Sequence, residues 1–430
     1  MKKPSLLIIF LTVFIDLIGF GIVLPLLPLF AKNLQASGLT IGLLMASFSA
    51  MQFVFAPVWG RISDRIGRRP VLLISTAGAA IAYGIFAIGS GMTGTTALVI
   101  LFASRMFAGI CGANITVAQA YIADITPPQD RSKRMGLIGM AFGLGFIFGP
   151  FLGGIALGHF GPTGPGWLAA ILCTANFVFA LARLRESYTL GAEKSAQRPR
   201  FGQWIHTMSQ PKIGLLVGLF FLATFCFASF ETTLGLLVSK NFNIDPTNPA
   251  RKADAKLVGY LFAYCGIIGA LVQGGIIGRL VKFFGEPLLI TISLVVLAFG
   301  LAPMPFLHGQ VPAGKEWLQA TGGIWLLFLG VLALVSIGSS LTRPPLFGMI
   351  SNLSPATEQG ATLGVAQGAG SLARIFGPIF AGTLFEHHPA VPYVVSAVLA
   401  FVTGLMAWQF LHKAKPLSSQ CSTTDRLKAS

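Results

Sequence analysis

Long apolar runs alternate with short polar or basic segments along nearly the whole chain. Twelve runs fall at about residues 5–30, 39–59, 71–90, 96–121, 135–158, 165–184, 212–239, 256–277, 288–307, 323–347, 360–384 and 391–411. Each is long enough to cross a hydrocarbon core of about 30 Å, because a helix rises about 1.5 Å per residue. Backbone groups in lipid must pair within their own segment, so the runs predict helices rather than open sheet. The expected fold class is therefore an all-α integral membrane protein with twelve transmembrane helices. A polar stretch over 185–211 separates residues 1–184 from 212–415, each with six spans, and residues 416–430 form a polar tail. An even number of spans puts both termini on one side.

Composition agrees. The 430 residues are 54% hydrophobic and 10% charged, against about 25% charged in soluble domains. The net charge of +16 would suit a nucleic-acid partner, but its placement argues against one. With the amino terminus in the cytoplasm, 22 of the 30 Lys and Arg fall on the cytoplasmic side, Arg343 counted among them; six fall outside, and Arg105 and Arg374 lie inside spans. That bias is the positive-inside rule, so the charge reports topology. The expected location is the cytoplasmic (inner) membrane, multi-pass, with both termini cytoplasmic. Met1-Lys2-Lys3 and the run after it have signal-like character. The run continues to about Phe30, has Asp16 in its middle and lacks a clear cleavage site, so it reads as a retained first helix. The five cysteines form no metal-ligand spacing.

The halves repeat. Residues 125–154 align without gaps to 353–382, with nine identities that include Ile147-Phe148-Gly149-Pro150 against Ile375-Phe376-Gly377-Pro378. Between spans two and three lies Gly60-Arg61-Ile62-Ser63-Asp64-Arg65-Ile66-Gly67-Arg68-Arg69, expected as a loop of about ten residues in which Gly60 and Gly67 allow a tight reversal and close packing. Gly278 to Gly285 echoes it with Lys282 in place of Asp64. Parallel six-helix repeats place a substrate between them near midplane.

The ordered string Gly60-x3-Asp64-Arg65-x-Gly67-Arg68-Arg69 resembles the signature loop of the major facilitator superfamily. Three more motifs match. Leu101-x3-Arg105-x3-Gly109 resembles the motif with a buried arginine on helix 4. Gly136-x8-Gly145-x3-Gly149-Pro150-x2-Gly153-Gly154 resembles the antiporter motif of helix 5. Asp16-x2-Gly19-x-Gly21-x3-Pro25-x2-Pro28 resembles the first helix of the drug/proton antiporter branch, which includes tetracycline-resistance-type efflux transporters. The resemblance implies two pseudo-symmetric six-helix bundles that export a small amphipathic compound in exchange for protons by alternating access, as a monomer. It also implies that Asp64, Arg68 and Asp124 form a charge cluster, and that Asp64 faces the amino end of helix 11 as a cytoplasmic gate. If helix 2 continues through Arg68, Asp64 and Arg68 lie one turn apart. Such tetracycline exporters carry an acid in helix 9, and this chain has none between Leu288 and Leu307.

Charged residues inside lipid are costly and read as functional by default. Four are expected well inside the spans: Asp16, Arg105, Glu231 and Arg374. Asp16 and Arg105 are both near mid-depth, where a carboxylate can exchange protons as the cavity opens to either face. A permanent ion pair is the plainer alternative. Glu231 is the second carboxylate, with Arg374 as candidate partner, unless it faces outer water at its helix end. Asn114 and Gln119 are candidate substrate-holding amides, with Gln52, Gln273 and Gln367 further polar groups. No P-loop, His-Glu-x-x-His or nucleophile-elbow pattern occurs. The chain is expected to be no enzyme and to use no cofactor, drawing on an ion gradient, most simply protons. Other readings on the same scaffold are a metabolite or sugar-derivative exporter and a transport-dead receptor.

Overall fold

A computed structural model describes residues 4–112, 114–127, 131–187, 200–243, 252–309, 323–354 and 359–412. Every expected span is helical, and among the described residues there is no strand. The elements are α1 Leu6–Val23, α2 Leu27–Asn33, α3 Gly38–Ile66, α4 Arg68–Ser90, α5 Gly94–Cys111, α6 Asn114–Asp124, α7 Arg131–Phe160, α8 Gly164–Arg183, α9 Arg200–Ser209, α10 Pro211–Asn241, α11 Lys252–Leu271, α12 Ile277–Leu301, α13 Gly323–Leu353, α14 Gln359–His387 and α15 Ala390–His412. Ten described helical stretches are long and apolar enough to cross a membrane, and α11 is a shorter apolar helix. Many large apolar side chains point outward, among them Ile81, Val99, Ile171 and Leu326, each more than half exposed. On a soluble protein that surface would be anomalous; around a transmembrane bundle it is the lipid-facing belt.

Several helices depart from the hydropathy boundaries. The expected first span breaks at residues 24–26, where Pro25 and Pro28 end α1 and start α2. The expected fourth span divides at Gly112. The three carbonyls next to the break are met from neighbouring helices: Trp59 Nε1 donates to Ile110 O at 2.6 Å, Gln52 Nε2 to Gly112 O at 3.1 Å, and Ser75 Oγ to Cys111 O. Irregular backbone at membrane depth persists only where protein supplies such partners. Gln52 therefore serves the backbone. Gln273 does the same, donating to Ser340 O at 3.4 Å within a π-helical turn over Val272–Ile276.

The expected basic loop is almost entirely helix. α3 runs through Arg61 and Arg65 to Ile66, and only Gly67 lies outside, at φ 100° and ψ 163°. That left-handed region is open to glycine at little cost. Gly60 lies inside α3 with open space where a Cβ would stand, so it neither turns the chain nor packs closely. Arg68 is the first residue of α4 rather than part of the last turn of α3, and the expected one-turn spacing from Asp64 does not hold. Gly285, at φ 74° and ψ 160°, makes the same turn in the second half, so the echo of the motif is an echo of structure.

The glycine-rich faces explain the packing. On α7, Gly145 lies against Leu17, Gly149 against Gly21 and Gly153 against Ile22, all on α1. A Cβ on Gly259 of α11 would stand 2.5 Å from Pro150 O and 2.9 Å from the Cα of Gly154. The second half repeats the arrangement. Gly377 of α14 lies against Phe225 to Ser229 of α10, and a Cβ on Gly42 of α3 would stand 2.5 Å from Pro378 O. Through these faces α7 and α14 each pack on one helix of their own half and one of the other. Gly136 also lies on α7; its surroundings lie outside the described residues.

The end of the bundle bearing Ser5, Asp124 and Glu186 is called here the terminal end. At the opposite, far end the halves share one core: Ile22, Leu29 and Phe30 join Leu234, Leu237 and Val258. At the terminal end they keep separate cores, one around Ile9, Val71 and Tyr121, the other around Ile213, Ile290 and Leu346. The far end is further held by Glu386 of α14, whose Oε2 accepts from the Gly38 amide, the first of α3, at 2.6 Å. An acid there meets exposed donors and the positive helix end. The short helix α9 spans the terminal end, with Trp204 against Gly368 of α14, close to Phe53 of α3.

Gly42→Leu and Glu386→Gln are expected to open the far end. Overpacking costs about 1–3 kcal/mol, and 1 kcal/mol already shifts a two-state population about fivefold. Labelling of a cysteine placed at Leu29 in reconstituted protein should rise several-fold in both variants. Gly143→Leu, on open space, should leave it unchanged. Unaltered labelling in the first two would show that these contacts do not hold that end.

Candidate functional site

Charged side chains gather inside the helix bundle in two clusters, one in each half. In the first, Arg105 of α5 is 1% exposed. Its guanidinium stands 4.7 Å from the Phe48 ring centroid and 5.6 Å from that of Phe20, within the range of a desolvated cation–π contact. Tyr83 of α4, also buried, interacts electrostatically with both Asp16 and Arg105, and Cys173 joins the group. Tyr83 was not among the sequence candidates. It is one of only six tyrosines in the chain, and a phenol inside an apolar run is the signal that pointed to it. A phenol carries both a proton donor and an acceptor, and this one is buried within electrostatic range of both charges.

In the second half, Glu231 of α10 is 8% exposed and interacts electrostatically with Arg374 of α14. It is buried rather than facing water at its helix end. Arg374 also donates to Ser371 Oγ at 3.3 Å. Arg343, counted in the sequence on the cytoplasmic side, sits inside α13 and is a fifth charge at the seam. It donates to Gln367 Oε1 at 3.4 Å. Gln119 is half-buried on α6. The side chain of Asn114 lies outside the described residues.

The signature segment forms a second site, at the terminal end. Arg68 Nε donates to Asp124 Oδ2 at 3.1 Å, and Nη1 to Ser63 Oγ at 2.7 Å. Ser187 Oγ also donates to Asp124 Oδ2, at 3.1 Å. Asp64 lies on α3, its side chain outside the described residues, so the expected cluster is represented by Arg68 and Asp124. Arg65 is exposed, and Arg69 Nη2 donates to Leu181 O at 2.9 Å. The sequence reading missed Glu186. Its carboxylate accepts from the Arg68 and Arg69 amides at 2.8 and 3.1 Å, capping α4 where Gly67 leaves the first amides open. The only signal for it was an acid just after span six, in a stretch that reads as the start of a linker.

Long apolar helices arranged as two repeats, with charged side chains inside each half, are the architecture of a membrane transporter. Comparison with known proteins agrees. The family model described as Major Facilitator Superfamily matches residues 9–317 and 276–429, and the chain belongs to that family. It is 33% identical over 415 residues to the tetracycline resistance protein, class C, of Escherichia coli, covering 94% of this chain and 96% of that one. It is 27% identical to multidrug resistance protein 2 of Bacillus subtilis (strain 168), covering 95% and 96%. Among solved structures, the human organic anion transporter MFSD10 (TETRAN) superposes with a TM-score of 0.67 at 23% identity, covering 94% of this chain and 100% of that one. The nucleoside transporter NupG does so with a TM-score of 0.68 at 15% identity, covering 95% and 99%. These structural matches fix the all-α major facilitator fold.

Glu186→Gln is expected to loosen the start of α4. Amide hydrogen exchange at Arg68, Arg69 and Val71 should accelerate several-fold as the first turn frays, while exchange in α5 stays the same. Unchanged exchange would mean that the carboxylate does not hold this turn.

Proposed function

We propose that this chain exports a small amphipathic, drug-like compound across a bacterial cytoplasmic membrane in exchange for protons, by alternating access. The carrying observation is a carboxylate with a polar or charged partner inside the helices of each half: Asp16 with Tyr83, which also meets Arg105, and Glu231 with Arg374. Charges in such places are expensive unless they do work. The efflux relatives support the drug-like substrate class. In this reading the terminal end, with the start of α1, the end of α15 and the basic segment, is cytoplasmic, and both termini are expected on that side. The shared core and the Glu386 contact then close the outside, and the separated cores face inward. Asp16 is the principal proton-coupling carboxylate and Glu231 the second. Asp64 would act in the opposite state, lying against the amino end of α14 as Glu386 lies against that of α3. The protein works as a monomer, with the proton gradient as its energy source and no cofactor.

Asp16→Asn should fold normally and lose uphill export while keeping downhill flux or exchange. The check is substrate-induced proton release from everted vesicles alongside drug accumulation, and full proton-driven export would sink the assignment. Glu231→Gln should alter transport of cationic and neutral drugs unequally. Equal, wild-type rates for both would remove Glu231 from the mechanism. A receptor on this scaffold would show no substrate-induced proton release in the wild type.

A further inference from the structure

Arg343 stands where the two halves meet. Its guanidinium lies 5.5 Å from the ring centroid of Phe142, on α7 of the first half. In its own half it lies 5.9 Å from Phe220 of α10 and 5.5 Å from Phe347 of α13. Phe220 and Phe347 pack edge to face at 5.0 Å. Gly370 of α14 leaves the space that Phe220 fills: a Cβ there would stand 2.7 Å from Cε1 of Phe220 and 3.7 Å from Nη1 of Arg374. Arg374 thus lies on the same helix face as the Phe220 contact, and the like charges of Arg343 and Arg374 interact.

The charge balance of this wall is uneven. Glu231 interacts with Arg374. Arg343 has the long hydrogen bond to Gln367 and three aromatic faces. A guanidinium carries five N–H donors in a planar fork that matches a carboxylate bidentately. Arg343 is a second, half-buried cation beside Arg374, and holding like charges together in the seam is costly. A carboxylate arriving with the substrate would offset part of that cost. The rings add a shape requirement, because they accept a planar aromatic group alongside the ion pair.

We propose that Arg343, with Arg374 beside it, is the acid-recognition point of the seam, and that this transporter favours planar aromatic carboxylates. The inference rests on the export reading above and names the substrate class at that site. A matched series tests it: 2-naphthoate, the neutral 2-naphthamide and the cationic 2-naphthylmethylammonium share one ring and differ in charge. Equilibrium binding to the purified full-length protein, without a gradient, is independent of coupling and of export. Wild type should bind naphthoate about tenfold or more tightly than the amide, the scale of a charge-assisted hydrogen bond. Arg343→Gln should remove most of that preference while amide binding stays within about twofold, and Arg343→Lys should restore part of it. Amide binding and a single gel-filtration peak show that each variant is folded. Equal loss of naphthoate and amide, preference for the ammonium, or no naphthoate binding by wild type overturns the proposal. Selective binding without uphill transport in vesicles supports acid recognition and sinks the export reading instead. Export of all three probes at equal rates sinks acid recognition and leaves export standing.

Discussion

Backbone-to-backbone contact at glycine is the constraint on which the rest of this structure depends. Lipid tails are as apolar as leucine, so apolar helices in a membrane gain little from burying side chains against one another. Their association rests on close van der Waals packing and on small residues that permit it. Here α7 presents Gly145, Gly149 and Gly153 to α1 and the carbonyl of Pro150 to Gly259 of α11. The helix runs unbroken through Pro150, so the proline costs an internal hydrogen bond without ending the helix. The same face that binds a half together also docks it on the other half. Smooth surfaces of this kind can part and re-form without rearranging interdigitated side chains, which is what two halves that tilt against each other require.

The buried charges depend on that scaffold. Arg105 is held between aromatic faces with Tyr83 close by. Break any of these supports and a cation remains in a dry site, where an unpaired charge is strongly destabilising. The positioning is indirect: the broken helix at Gly112 sets where α5 ends, and that break stands only because Trp59, Gln52 and Ser75 meet the freed carbonyls. Groups that look like candidate ligands in the sequence thus turn out to serve the backbone, and the charge they hold in place is elsewhere.

The helices were legible because lipid imposes one rule on length and polarity, and the repeat was legible because Gly and Pro report backbone geometry directly. Their ends were less so. Hydropathy falls at Arg61, but helical hydrogen bonding does not, and α3 continues to Ile66. Arg343 was misplaced for the related reason that a charge near a span end reads as an exit from the membrane. Only the fold shows that Phe142 reaches it from the other half. Tyr83 and Glu186 depend on neighbours distant in sequence; a phenol in an apolar run and an acid just after span six are their only local marks. The pairing of Arg68 with Asp124 was anticipated as a cluster, but by resemblance; spacing alone put Arg68 on the wrong helix.

The scaffold is symmetric and the charges are not. Gly67 and Gly285 make the same turn, and Gly149-Pro150 and Gly377-Pro378 make the same contacts. Yet Lys282 stands where the first half has Asp64, and Gly158 stands where the second half has Glu386. Each half has therefore kept one acid of this pair, and the two lie at opposite ends of the bundle. Helices α3 and α14 run antiparallel across the contact between halves, and the amino end of α3 lies beside the carboxyl end of α14. An acid on α14 can meet the start of α3 only when the far end is closed, as Glu386 does with Gly38. By the same geometry, an acid near the end of α3 can meet the start of α14 only when the terminal end is closed. In the proposed exporter, the glycine faces would let the halves move, and the two acids, one per state, would set which end is held shut.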